Sequence, residues 1–159
     1  MKGRIAAFFL TMLSLTAACN GDKAFCKYAD TAIEGWEKND TLTFDVKPLT
    51  AAGNYQLILG LRTGNSYPFK SVTMIVEQTV FPSKKSFADT IECKLYDDNG
   101  KMLGNGISSH QYLFNVANRR YNKGDSIHIA IRHDMKRETL TGIGSVGIEL
   151  FTIPPISRP

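Results

Sequence analysis

The sequence predicts an all-β fold, a single-domain antiparallel β-sandwich of about seven or eight strands with a jelly-roll-like or immunoglobulin-like arrangement. Apolar and polar residues alternate through most of the chain after residue 41, as they do in strands that bury one face. Turn-forming residues separate these runs. Only residues 25–36 have helical character, and Thr31 and Gly35 weaken it. A length of 159 residues with 43% hydrophobic and 21% charged side chains is typical of one folded domain.

Seven segments carry the strand pattern. Between residues 126 and 132, one face of the predicted strand holds Ile127, Ile129 and Ile131, and polar side chains occupy the other face. The run 54–62 alternates in the same way. The predicted strands are 41–46, 54–62, 71–81, 89–96, 111–117, 126–132 and 146–152.

Turns are predicted where glycine follows small polar residues. Residues 97–100 contain an Asn-Gly pair, which favours a type I′ hairpin, and residues 123–125 precede the strand at 126. Residues 140–148 are rich in glycine but lack the Lys-Ser/Thr ending and the following helix of a phosphate-binding loop. They predict a bend or bulge ahead of the last strand.

The first 18 residues have the layout of a signal peptide. Residues 1–4 are positively charged, 5–15 are apolar, and 16–18 are small and precede Cys19. An apolar run of about 11 residues is too short to cross a bilayer, which takes about 20 helical residues, so we expect this segment to be removed.

The position of Cys19 directly after Ala17-Ala18 resembles the bacterial lipobox, in which the cysteine thiol is acylated and the cysteine becomes the first residue of the mature chain. The alternative is an ordinary secretory signal with Cys19 as a spare thiol. Because three acyl chains bury many CH₂ groups, at about 0.8 kcal/mol each, they would anchor the chain firmly. Asn20, in place of an inner-membrane retention Asp, favours the outer membrane. We separately expect the domain to face the periplasm rather than the cell surface.

Four segments follow from these predictions. Residues 1–18 are the signal peptide, and 19–40 are a tether with a short irregular or helical segment. Residues 41–153 form the β-sandwich, and 154–159 are a C-terminal tail.

Cys26 and Cys93 remain as an even pair in a chain destined for an oxidising compartment. One alternative is a disulfide that closes a loop of about 67 residues and stabilises the fold by up to about 4 kcal/mol. The other is two unpaired thiols, with Cys93 buried as a small apolar side chain.

The sequence has no motif for catalysis or for a metal or cofactor. His110, His128 and His133 lack metal-ligand spacing, and no nucleophile elbow is present. The formal charge is +4, but removing the signal peptide's two basic residues leaves 17 basic against 15 acidic side chains. That balance, spread along the chain, excludes a nucleic-acid footprint. We therefore expect a protein that is not an enzyme and carries no cofactor.

An ordered set of segments resembles the gliding-motility lipoprotein H (GldH) family of the Bacteroidota. The matching segments are the lipoprotein signal with a second cysteine shortly after it, Trp36 followed by 40–44, Tyr55 leading to 61–62, 67–69, 89–90, 95–106, 129–137 and 140–148. The resemblance implies a cell-envelope lipoprotein associated with the motility and type IX secretion machinery, with no known enzymatic activity.

The leading hypothesis is therefore a non-enzymatic, membrane-anchored envelope lipoprotein that docks a protein partner of a motility or secretion complex. The alternative is a surface-exposed glycan-binding lipoprotein, for which Tyr67, Phe69, Tyr112 and Tyr121 would supply an aromatic sugar-binding face. A hydrolase built on a jelly roll is the third hypothesis, and it requires a cleft with convergent carboxylates.

Overall fold

A computed structural model describes residues 22–154. These residues form ten β-strands and no helix, so no described helix is long and apolar enough to cross a membrane. The strands are β1 (Lys23–Asp30), β2 (Trp36–Glu37), β3 (Leu42–Val46), β4 (Gly53–Gly64), β5 (Ser71–Phe81), β6 (Lys85–Lys94), β7 (Ser109–Tyr121), β8 (Ser126–His133), β9 (Thr139–Leu140) and β10 (Ile143–Ile153).

Eight of these strands build two antiparallel sheets. The first sheet has the order β1-β10-β4-β7 and the second β3-β8-β5-β6, while the two-residue strands β2 and β9 pair only with each other. Successive long strands alternate between the sheets except at the β5–β6 hairpin, and the first and last strands are neighbours. This is the double Greek-key arrangement of a jelly roll, so the predicted β-sandwich is confirmed and the immunoglobulin-like alternative is not found.

The core lies between the two inner faces. Ile129 and Ile131 of β8 are fully buried, and Leu57, Leu59 and Leu61 of β4 close the other side. Each strand contributes every second residue to this core, which is the pattern that the alternating sequence predicts. β5 is found with the predicted bounds, and the other predicted strands lie within one to four residues of the observed ones.

The segment 19–40, expected to be a tether with irregular or helical structure, contains β1 and β2 where it is described. β1 is an edge strand whose partners all come from β10, and only Phe25 and Ala29 of it pack against the core. A strand that is held mainly by main-chain hydrogen bonds from one neighbour needs little apolar alternation, which is why the sequence pattern did not reveal it.

The turn at residues 97–100 differs from the predicted type I′ hairpin. Among the described non-glycine residues Lys84 alone has a positive φ, so Asn99 does not adopt the conformation that a type I′ turn requires. The Asp97 carboxylate instead accepts hydrogen bonds from the N–H groups of Asn99 and Lys101, at 2.9 and 2.8 Å, and Gly100 has φ +79°. The aspartate side chain thus organises the turn.

The glycine-rich segment forms the predicted bulge. The register of β10 against β4 shifts between Ile143 and Ser145. Gly142 has φ +86°, and a Cβ on it would lie 2.5 Å from the main-chain nitrogen of Tyr67. Glycine is therefore required here for both conformation and close approach.

The sandwich has two ends with different loops. The terminal end holds Lys23 and Ile153, where the chain enters and leaves the sheets, together with the connections 47–52, 82–84 and 122–125. Leu49 N–H donates to the Asp125 carbonyl at 2.9 Å, which ties two of these connections together. The loop end holds the connections 31–41, 65–70, 95–108 and 134–142.

A small apolar plug closes the loop end. Trp36 and Leu140, on the paired strands β2 and β9, are buried, and Trp36 Nε1 donates to the Asp40 carbonyl at 2.8 Å. The His133 ring packs edge-on against Trp36 with ring centroids 5.1 Å apart. Burial lowers the pKa of His133, so the plug favours the neutral imidazole.

We expect Ile129→Asp to unfold the domain. An unpaired carboxylate at this fully buried position costs about 3 kcal/mol or more, which corresponds to a fall in Tm of about 10 °C in a chain of this size. Thermal unfolding followed by circular dichroism measures this, and Thr43→Asp, on the exposed face of the neighbouring β3, is the control. A wild-type Tm for Ile129→Asp would mean that the inner and outer faces are reversed.

Candidate docking surfaces

Cys19, the predicted acylation site, lies outside the described residues. The first described residue is Asp22, whose carbonyl accepts the Thr152 N–H at 2.7 Å. The described chain therefore starts at the terminal end of the sandwich, beside the end of β10.

Cys26 and Cys93 are not paired, so the disulfide alternative is wrong for this structure. Cys26 is exposed on β1 and Cys93 is buried on β6. β1 packs near β3, and β6 packs near β7, so the two cysteines occupy opposite edges of the sandwich. Three strand spacings of about 4.8 Å separate those edges, whereas a disulfide needs Cα atoms within about 7 Å. Burial raises the pKa of the Cys93 thiol to about 12, which suits an inert core side chain.

The three histidines occupy unrelated places. His133 belongs to the plug at the loop end, and His110 is buried on β7. His128 is exposed on β8, where its Nδ1 lies 2.7 Å from Asp45 Oδ1. Within residues 22–154 no group of three or more histidine, cysteine or acidic side chains is arranged to hold a metal ion.

The aromatic side chains proposed for sugar binding do not form an exposed platform. Tyr67, Tyr112 and Tyr121 are at most 7% exposed, and their rings belong to the core. Phe69 is half-buried against Tyr67, with ring centroids 5.6 Å apart. Core packing of strand aromatics is the ordinary outcome on a two-sheet fold, and here it removes the basis for the glycan-binding alternative.

The outer face of the first sheet carries one large side chain that rests on glycine. Tyr28 of β1 lies across β10 and β4, where Gly147 and Gly60 leave room for its ring. A Cβ at Gly147 would lie 2.5 Å from the ring, and a Cβ at Gly60 would overlap the hydroxyl end. The ring therefore clamps the edge strand β1 to the two central strands.

Polar groups surround this ring and satisfy one another. The Tyr28 hydroxyl donates to Glu149 Oε1 at 3.1 Å and accepts from Gln111 Nε2 at 3.2 Å. Lys23 Nζ lies 2.8 Å from the other Glu149 oxygen, and the Arg62 guanidinium stacks 4.2 Å from the ring centroid. Desolvation, aided by Glu149, raises the pKa of Tyr28 to about 12. The Tyr28, Glu149, Gln111 and Lys23 groups thus bind one another and hold the sheet together, while the exposed Arg62 guanidinium contacts the cluster only through the face of the ring.

A groove runs along the edge strand β7 near the loop end. Its volume is about 500 Å³, and its lining is formed by Lys94, Leu103, Asn105, Gln111, Tyr112, Leu113 and Phe114. Leu103 and Leu113 are 53% and 54% exposed, and nearby in the same connection Ile107 is 94% exposed. Three large apolar side chains in water on one edge are typical of an interaction surface rather than of scattered surface residues. We refer to these three side chains and the cavity beside them as the β7 groove.

The structure of β7 explains why the groove is confined to one half of the edge. Towards the terminal end, Arg119 of β7 forms an ion pair with Asp89 of β6 and stacks 4.1 Å from the Phe87 ring centroid, which joins the two sheets. Towards the loop end, the connection 95–108 packs on β7 through Gly104, which contacts the Tyr112 ring, and leaves Leu113 uncovered.

The sequence prediction missed this surface. Leu113 lies between the inward-facing Tyr112 and Phe114, and an apolar residue on the otherwise polar face of a predicted strand was the available indication. Leu103 and Ile107 lie in a connection without periodicity, so their exposure could not be inferred from spacing.

Comparison with known proteins identifies relatives along nearly the whole chain. The family model described as GldH lipoprotein matches residues 23–150. Gliding motility lipoprotein GldH of Flavobacterium johnsoniae is 27% identical over 157 residues, covering 94% of this chain and 98% of the relative. The Gliding motility lipoprotein GldH homolog of Christiangramia forsetii is 23% identical over 160 residues, covering 94% and 97%. Among solved structures, a GH115 4-O-methyl-alpha-glucuronidase aligns with a TM-score of 0.43 at 13% identity, covering 80% of this chain and 16% of the enzyme.

We expect Gly147→Ala to destabilise the domain by about 1–3 kcal/mol, because the new methyl group displaces the Tyr28 ring from the sheet. Gly53→Ala is the matched control, since a Cβ there meets no atom within 4 Å and removes backbone freedom from the unfolded chain. Urea unfolding compares the two variants. Equal stabilities would show that Tyr28 does not clamp the edge strand.

Proposed function

The chain belongs to the GldH lipoprotein family, and from this premise we propose that it is a non-enzymatic lipoprotein of the cell envelope that docks a protein partner through the β7 groove. The partner belongs to a motility or type IX secretion complex. Acyl chains on Cys19 hold the domain at the outer membrane, facing the periplasm. The main support for the docking role is the exposure of Leu103 and Leu113, which line one cavity, and of Ile107 in the same connection as Leu103.

The groove has the features of a protein-binding site. Its lining combines the apolar side chains of Leu103, Leu113 and Phe114 with the polar ones of Lys94, Asn105 and Gln111, as protein interfaces do. The groove lies on an edge strand that pairs with Asn105 at Gln111, and beyond that residue no described strand pairs with the outer side of β7, so an extended segment of a partner can add to the sheet there. Natural sheets usually protect such edges, so an uncovered apolar edge is best explained by a partner that covers it.

The family supports the placement in the envelope. The relatives are gliding-motility lipoproteins, and the chain matches them over almost their entire length. The match to the family model begins at residue 23, four positions after Cys19, so an acylated Cys19 would join the family's domain through a very short link.

Cys19→Ser is expected to abolish membrane retention without changing the fold, because the serine hydroxyl does not accept the diacylglyceryl group. Incorporation of labelled palmitate, together with fractionation of envelopes, measures the loss. The matched control is Cys26→Ser, which changes an exposed thiol on β1 and should leave labelling intact. Palmitate labelling of the Cys19→Ser chain would contradict acylation at this residue.

Leu113→Asp is expected to weaken partner binding by about tenfold or more, since a charge at the centre of an apolar contact removes a binding hot spot. A photo-cross-linking residue at position 113 first identifies the partner in intact cells. Quantitative recovery of that partner is then compared between wild type, Leu113→Asp and the control Ile33→Asp.

Ile33 is a suitable control because it is 98% exposed and follows β1, on the edge of the sandwich opposite the β7 groove. Both variants should melt like the wild type. Equal partner recovery by wild type and Leu113→Asp, or equal losses with both variants, would reject the β7 groove as the docking surface.

A further inference from the structure

The terminal end of the sandwich carries a concentration of exposed basic side chains. They are Lys47, Lys84, Lys85, Arg120 and Lys123, and none of them has an acidic partner within 4 Å. They come from three separate connections, the start of β6 and the end of β7, so the fold rather than local sequence brings them together. A sixth cation, Lys23, is partly neutralised by Glu149.

Few acidic groups oppose these cations. Asp125 is only 9% exposed, and its carboxylate accepts the Asn122 N–H at 2.8 Å inside the turn. Asp45 is the next-to-last residue of β3, and its carboxylate pairs with His128. Asp22, at the start of β1, is the remaining exposed acid of this end. Among residues 22–154, those at the terminal end therefore carry a net positive charge.

The loop end has no such excess. Its acidic side chains are Asp30, Glu34, Glu37, Asp40, Asp97, Asp98, Asp134 and Glu138, and its basic ones are Lys38, Lys70, Lys94, Lys101, Arg132, Lys136 and Arg137. The nearly neutral total charge of the mature chain therefore conceals a concentration of positive charge at one end of the long axis of the sandwich.

The basic end is also the end at which the acyl anchor would join. Cys19 precedes the described residue Asp22 by three positions, and three extended residues span about 10 Å at most. This is close to the Debye length of about 8 Å at physiological ionic strength, within which exposed charges act on a lipid surface. An acylated Cys19 would therefore hold these lysines close enough to the bilayer for electrostatic attraction to its charged headgroups.

One exposed apolar side chain at the terminal end is also suited to contact with a lipid headgroup region. Phe81 is 41% exposed at the end of β5, next to the hairpin that carries Lys84 and Lys85. An aromatic ring flanked by lysines is typical of protein surfaces that rest in the headgroup region.

We propose that the terminal end of the domain lies against anionic phospholipid headgroups, and that its lysines orient the sandwich so that the loop end and the β7 groove point away from the bilayer. This orientation rests on the acylation of Cys19 proposed above. The acyl chains supply the attachment, and the basic end sets the direction in which the domain stands.

Lysine footprinting of the native acylated protein tests the orientation. The protein is reconstituted into vesicles of phosphatidylcholine, with or without phosphatidylglycerol, and treated with an amine-acylating reagent. Lys47, Lys85 and Lys123 should react about fivefold more slowly in the anionic vesicles. Lys101 and Lys136, at the loop end, should react equally in both. Added salt of about 1 M should abolish the difference.

A pair of charge-reversal variants provides the control. Lys85→Glu with Lys123→Glu should remove the protection of Lys47, whereas Lys101→Glu with Lys136→Glu should leave it unchanged, because all four are exposed and only the first two lie at the terminal end. Protein that floats with both vesicle types but whose terminal-end lysines react equally in both contradicts the orientation alone. Protein that floats with neither contradicts the acylation of Cys19, and the orientation with it.

Discussion

The pairing of β10 with both β1 and β4 is the interaction on which the rest of the structure depends. β10 contributes Val146, Ile148 and Leu150 to the core, all fully buried, and its outward side holds Gly147 and Glu149. Because the last strand lies between the first strand and β4, the chain enters and leaves at one end of the sandwich. That topology separates a terminal end from a loop end. The proposed contact with lipid headgroups lies at the terminal end, and the proposed partner site, the β7 groove, lies near the loop end.

The outer face shows how an edge strand with little apolar character stays in place. The N-terminal strand gains its main-chain hydrogen bonds from β10, and Tyr28 spans Gly147 and Gly60 while its hydroxyl reaches Glu149. Two glycines on adjacent central strands are the structural requirement for this clamp.

The sequence predicted those features that depend on residue order within one strand. The alternation of apolar and polar residues predicted the bounds of β5 and β8 to within one residue. The glycine-rich run predicted the bulge at Ile143. Features set by tertiary neighbours were missed: β1 takes its structure from β10, the Asp97 side chain overrides the Asn-Gly preference, and topology places the two cysteines on opposite edges. The exposed Leu113 could not be recognised as a surface without the connection 95–108 beside it.

The single tryptophan of the chain reports whether the domain stands on its terminal end. Trp36 lies in the plug at the loop end, about 35 Å from the other end if an 11-residue strand such as β5 spans the sandwich. Energy transfer from Trp36 of the acylated protein to dansyl-labelled headgroups should be weak. It should rise sharply when Phe81→Trp adds a donor at the terminal end. Strong transfer from Trp36 itself, unchanged by the added donor, would show that the loop end rather than the terminal end lies at the bilayer.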